Sequence, residues 1–87
     1  MTREAIEALV LDILRSKAPR FEGKIQPDTP LGAGGLAIDS IGTLEIVLEV
    51  ERRSGIRLRD ESLSADALAS PGSLVDHLTS LRDNPDG

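Results

Sequence analysis

The chain contains no cysteine. Disulfides, zinc–thiolate sites and a cysteine nucleophile are therefore excluded, and any thiol the protein uses has to be imported. Aromatic residues are nearly missing too: Phe21 is the only one, with no Trp and no Tyr. A core must then be assembled from Leu, Ile, Val and Ala, a palette that suits helices better than a β-sandwich. No apolar run approaches the roughly 20 residues of a membrane span. Met1 leads into Arg3 and Glu4 without an apolar segment, so no signal peptide is expected and the expected compartment is the cytoplasm. Basic residues are in deficit, with 10 Lys and Arg against 15 Asp and Glu and a formal net charge of −5. That balance argues against nucleic acid, including a helix-turn-helix DNA binder, because such binding runs on clustered Lys and Arg. It favours solubility and steering towards a basic partner.

What is present suits one small domain. A chain of 87 residues buries only about 60–65% of the surface it exposes when unfolded, which leaves little room for both a core and an enclosed active site. Apolar residues make up 39% and charged residues 29%, the balance of a globular protein rather than a disordered one.

Helical periodicity dominates the chain. Residues 2–17 read as a helix with Thr2 as N-cap, Glu4 in its first turn and one stripe of Ile6, Leu9, Val10, Ile13 and Leu14. Glu7, Asp12 and Arg15 lie off the stripe, and Pro19 stops the helix. Residues 18–38 carry Pro19, Gly23, Pro27, Pro30, Gly32, Gly34 and Gly35, a density of breakers that neither helix nor strand survives. Phe21, Ile25, Leu31, Leu36 and Ile38 are spaced along this connection as anchors to the core. "PDTPL" at 27–31 predicts a turn in which Asp28 or Thr29 bonds nearby backbone, and "GAGGLA" at 32–37 reads as a flexible approach to Ser40.

A second helix is predicted over 40–53. Ile41, Leu44, Val47 and Leu48 form its core stripe, widened by Ile46 and Val50, and Arg52, Arg53 and Gly55 supply a C-terminal signal. "IRLRDESL" at 56–63 is read as a loop with at most a turn of helix, and 64–69 as a short third helix. Ser70-Pro71 starts a last helix, Ser as N-cap and Pro at the first helical position, with a stripe of Leu74, Val75, Leu78 and Leu81. The expectation is an all-α fold: a small four-helix bundle, three longer helices and one short, with a long first loop. The domain spans 1–82, and residues 83–87 form a frayed tail.

The chemistry concentrates at one hydroxyl. Asp39 and Ser40 stand where the second helix needs an N-cap, and the plain reading of Ser40 is that its oxygen satisfies an orphan backbone N–H. The alternative is a modification site, because a helix N-terminus favours a phosphate ester and a loop–helix junction is open to an enzyme. A catalytic nucleophile does not fit. No Gly-x-Ser-x-Gly elbow surrounds Ser40. The only His, His77, falls near the end of the last helix and reads as a solvated side chain.

"GLAIDSIGTLEIVLEVERRSGIRL", residues 35–58, resembles the acyl carrier proteins, the phosphopantetheine-binding four-helix domains. Asp-Ser-Ile at 39–41 stands for the family's Asp-Ser-Leu. The likeness continues through Thr43, Glu45, Val47, Glu49, Glu51 and the "SGI" closure at 54–56, with "PDTPL" upstream and "SPGSLVDHL" at 70–78 downstream. The resemblance implies a 4′-phosphopantetheine on Ser40, transferred from coenzyme A by a separate phosphopantetheinyl transferase with Mg²⁺. The arm's thiol would hold an acyl group as a thioester, which supplies the sulfur the chain lacks. A flexible tether also raises the cargo's effective concentration at each partner's active site.

The expectation is therefore a non-catalytic, freestanding carrier, since no enzyme is fused within the chain, and a monomer. Its partners would be acyl-loading enzymes, synthases or transferases with basic docking patches, in fatty-acid, polyketide or other specialised biosynthesis. A peptidyl or aminoacyl carrier is the alternative within the family, and an unmodified helical interaction module the alternative outside it. Asp39, Glu45 and Glu49 would form an acidic docking stripe, the last two stacking four residues apart, with weak and salt-sensitive contacts. Ile41 and Leu44 are expected to serve the core first and to add apolar contact at its edge, while Glu51 faces another side. Gly42 departs from the family, where an acid or larger polar residue is common. It removes a docking charge and loosens the first turn by up to about 1 kcal/mol relative to Ala.

Overall fold

A computed structural model describes residues 1–58 and 63–84. Three helices run in chain order: α1 (Arg3–Lys17), α2 (Ser40–Ser54) and α3 (Pro71–Asp83). Both α2 and α3 pack on α1, which makes α1 the central element. Thr2 caps α1, its side chain accepting from the Ala5 N–H at 3.1 Å, and the helix ends at Ala18, just before Pro19. The predicted stripe of Ile6, Leu9, Val10, Ile13 and Leu14 is buried in full. Ser70 caps α3 in a reciprocal capping box with Ser73, Pro71 sits in the first turn, and Leu74, Val75, Leu78 and Leu81 are buried. In both helices a single apolar stripe leaves only one face to bury, so periodicity alone fixes the orientation.

The expected short helix at 64–69 is not among the three helices of the described residues; 65–68 form a turn. The backbone shows why. Leu68 N–H reaches Ser64 O and Ala69 N–H reaches Asp66 O, both at 3.3 Å. The next groups are then taken elsewhere: Ala69 O accepts from Leu31 N at 3.0 Å, and Ala67 O accepts from the Ser73 hydroxyl at 3.0 Å. Carbonyls spent on the first loop and on α3 cannot propagate a helix. In the preceding segment Leu58 is buried, and residues 59–62 of the predicted loop lie outside the described residues, as do 85–87 of the predicted tail. Asp83 closes α3, with Asn84 as its C-cap.

The long connection is pinned as its anchors predict. Leu31 and Leu36 are buried, and Phe21, Ile25 and Ile38 pack partly buried against the core. Thr29, not Asp28, makes the turn: its Oγ1 accepts from the Gln26 N–H at 2.8 Å, and its own N–H donates to Gln26 O at 3.1 Å. Arg15 adds a clamp that periodicity does not reveal. Its guanidinium donates to Phe21 O at 2.8 Å and to Gly23 O, and lies 5.8 Å from the centroid of the Phe21 ring, a cation–π arrangement.

The glycine-rich stretch, expected to be a flexible approach, is instead closed by its own backbone. Leu36 N–H donates to Pro30 O, Ala37 N–H to Gly32 O and Ile38 N–H to Leu31 O, each at 2.9 Å. Gly35 is required by this closure, because a Cβ there would lie 2.1 Å from the Pro30 carbonyl oxygen. Ala37 takes the left-handed conformation at φ 55°, a turn that brings the chain round to Ile38 and the start of α2.

Candidate functional site

Ser40 is the first residue of α2, and the capping of that helix is done by its neighbour. Asp39 is the N-cap, and its Oδ1 accepts from the Gly42 N–H at 2.7 Å. The plain reading of Ser40 as the cap is thereby corrected. Ser40 is exposed, and among the described residues no hydrogen bond engages its hydroxyl. Thr43 locks the same turn from below: its hydroxyl and its N–H both donate to Asp39 O at 2.9 Å. Gly42 also has a steric reason. A Cβ there would lie 2.8 Å from Ile38 Cγ2 and 3.2 Å from Asp39 Oδ1, so the buttress and the cap occupy the space a larger residue would need.

The cap carries a prediction. Asp39→Ala should cost about 0.5–2 kcal/mol, at about 4–8 °C of Tm per kcal/mol for a domain of this size. Asp39→Asn, an equally good cap, should retain most of the melting temperature. A thermal melt of the two variants checks this, and an Asn variant falling as far as the Ala variant would show that charge, not capping, is at stake.

The outward face of α2 differs from the expected stripe. Ile41, Leu44 and Leu48, predicted as core, are 72%, 59% and 57% exposed. Ile46 and Val50, assigned only to widen the stripe, are fully buried, and Val47 is 7% exposed. The helix offers two apolar stripes, and α1 accepts the one formed by residues 46, 47 and 50. Ile41, Leu44 and Leu48 recur at spacings of three and four, so they line one side of the solvent face.

The acids of the predicted docking stripe are present but paired. Glu45 Oε2 lies 3.3 Å from Lys17 Nζ at the end of α1. Glu49 is bound by Arg52, whose guanidinium donates to both carboxylate oxygens. The hydrogen bond from Arg52 is the main cause that holds the Glu49 carboxyl below the usual range, opposed by desolvation and helped by the charges of Arg52, Arg53 and Lys17. Glu51 faces another side as expected, and there it has a task the sequence did not disclose: its Oε2 accepts from the Leu58 N–H at 2.9 Å. Arg53 pairs with Asp12 of α1 at 2.9 Å.

His77, expected to be solvated, is half-buried, and its Nε2 is buried without a hydrogen-bond partner among the described residues. Among the described residues no three His, Asp or Glu side chains gather as a metal site would require, and no helix is long and apolar enough to cross a membrane.

Residues 4–78, nearly the whole helical domain, match the family described as "Phosphopantetheine attachment site". The chain belongs to this family. Its prosthetic group is a covalently attached 4′-phosphopantetheine, and its members are non-catalytic carriers that work with a phosphopantetheinyl transferase and biosynthetic enzymes. Among curated relatives, the chain is 33% identical over 73 residues to the D-alanyl carrier protein of Bacillus velezensis, an alignment covering 84% of this chain and 92% of that protein. An exposed hydroxyl stands beside a helix start already capped by another residue, so modifying that hydroxyl would cost the helix no hydrogen bond.

Proposed function

We propose that this protein carries its 4′-phosphopantetheine on Ser40 and holds an acyl or aminoacyl group on the arm as a thioester. The observation that carries the reading is the division of labour between Asp39, which caps α2, and Ser40, whose hydroxyl is exposed and has no hydrogen bond among the described residues. The arm's phosphate would lie at the N-terminus of a 15-residue helix, where the backbone dipole favours negative charge. Ser40 provides the ester oxygen, and the arm, when present, supplies the thiol that this cysteine-free chain does not have.

The cargo favoured by the comparisons is a small aminoacyl group, because the relative that aligns over 92% of its length is named for D-alanine. In this reading the carrier is monomeric and cytoplasmic, and works with a transferase and loading enzymes. A second reading, an acyl carrier of fatty-acid, polyketide or related biosynthesis, is supported by the "AIDSI" motif at 37–41. The docking face in either case is the outer side of α2, with Ile41, Leu44, Glu45 and Glu49, entered from Asp39.

Intact mass spectrometry separates the readings. Incubation with coenzyme A and a broad-specificity phosphopantetheinyl transferase should add a single phosphopantetheine. Supplying D-alanine, ATP and an activating ligase, or acyl-coenzyme A with an acyltransferase, should then add one thioester that hydroxylamine removes. Loading by the ligase supports the aminoacyl reading, and loading by the acyltransferase alone supports the acyl one. No mass gain in the first step would leave an unmodified helical interaction module and overturn the proposal.

A further inference from the structure

We infer that Lys17 and Arg52 are built-in counter-cations of the α2 docking face, which lower its affinity for basic partners and so select which enzymes can use it. This rests on the reading of α2 as the docking helix.

Residues 41, 45, 48 and 52 recur at intervals of four, three and four, so Arg52 stands on the exposed side of α2 in line with Ile41 and Leu48. Its side chain is 71% exposed, and it holds Glu49. Lys17 reaches across from the end of α1 to hold Glu45 at 3.3 Å. The remaining acids between Asp39 and Ser54 are also engaged: Asp39 by the Gly42 N–H and Glu51 by the Leu58 N–H. The molecule carries a net charge of −5, yet on this face two carboxylates are matched by two cations. A basic patch arriving here has to displace Lys17 and Arg52 from their acids and then sit beside them. A partner presenting an apolar surface meets no such obstacle, since Ile41, Leu44 and Leu48 are exposed.

An exposed ion pair contributes weakly, so releasing each cation should change affinity by a factor of about 1.5 to 5. The effect is thus one of selection among partners rather than of blockade. It is also screened by salt, which gives it a signature of its own.

The test compares the wild type with Lys17→Met, Arg52→Met, the double variant, and Arg53→Met as a control. Arg53→Met removes the same charge from α2, but from a residue directed at Asp12 of α1. The readout is KM for each carrier with a phosphopantetheinyl transferase chosen for a basic docking surface, measured from low to high salt. The double variant should show a KM about two- to 25-fold lower at low salt and a steeper rise with salt, and Arg53→Met should stay near wild type. A double variant that matches wild type in both KM and salt slope would overturn the inference. So would an Arg53→Met that shifts as far as the double variant, since net charge alone would then suffice. A wild type that takes no adduct in the same assay fails at the earlier reading instead, and that outcome is distinct because no KM is obtained for any variant.

Discussion

Ser40→Ala takes up no phosphopantetheine: under conditions that convert the wild type completely, the intact mass of the variant stays unchanged. The loss is total because the acceptor oxygen is gone, and the neighbouring hydroxyl cannot replace it. Thr43 donates its hydroxyl to Asp39 O at 2.9 Å and is partly buried within the first turn of α2. The fold should be indifferent to the change. Ser40 is exposed and the cap belongs to Asp39, so the cost falls within the roughly 0.5 kcal/mol typical of surface substitutions. Circular dichroism and a melt should therefore match wild type, which keeps the mass result from being read as misfolding. An adduct on the Ala variant, localised by peptide mapping to another side chain, would move the attachment site and remove the basis of the proposed function.

The second large effect is on stability, and it distinguishes two residues of similar size on the same helix. Ile46→Ala should cost about 2–5 kcal/mol, the range for emptying a fully buried aliphatic site. A domain of this size holds only about 5–15 kcal/mol in all, so Tm should fall by more than about 10 °C. Leu44→Ala should leave stability within about 0.5 kcal/mol, because the side chain is 59% exposed. Its expected loss is in docking: a several-fold higher KM with transferases that press apolar surface on α2. Chemical denaturation of both variants checks the first part. Equal losses of stability from the two substitutions would mean that α2 meets α1 through a different face.

That pair of residues marks where the chain's pattern stops being decisive. In α1 and α3 one apolar stripe is dominant, Leu11 alone of the large apolar residues lying off it, and all nine predicted positions are buried. In α2, apolar residues stand at 41, 44, 46, 47, 48 and 50, more than half the circumference of a helix. Periodicity then admits two burial faces. The Asp-Ser-Ile motif and its spacing were legible, as was the family to which they point. The transfer of capping to Asp39 was not, because Asp and Ser are equally good caps and stand side by side. The engagement of Glu45 by Lys17 was also illegible, since it joins residues 28 positions apart.

Local pattern determined three helices, their breakers, the caps of α1 and α3, the anchored first connection and the serine at the head of α2, because each depends on residues within a few positions of one another. The tertiary structure alone decided which stripe of α2 is buried, that the turn at 65–68 spends its carbonyls on the first loop and on α3 instead of extending into a helix, and that Glu45 is held by Lys17 of α1. Those outcomes depend on which surfaces α1 and the loops present across space. When a helix offers two apolar faces of similar strength, the partner that packs against it makes the choice.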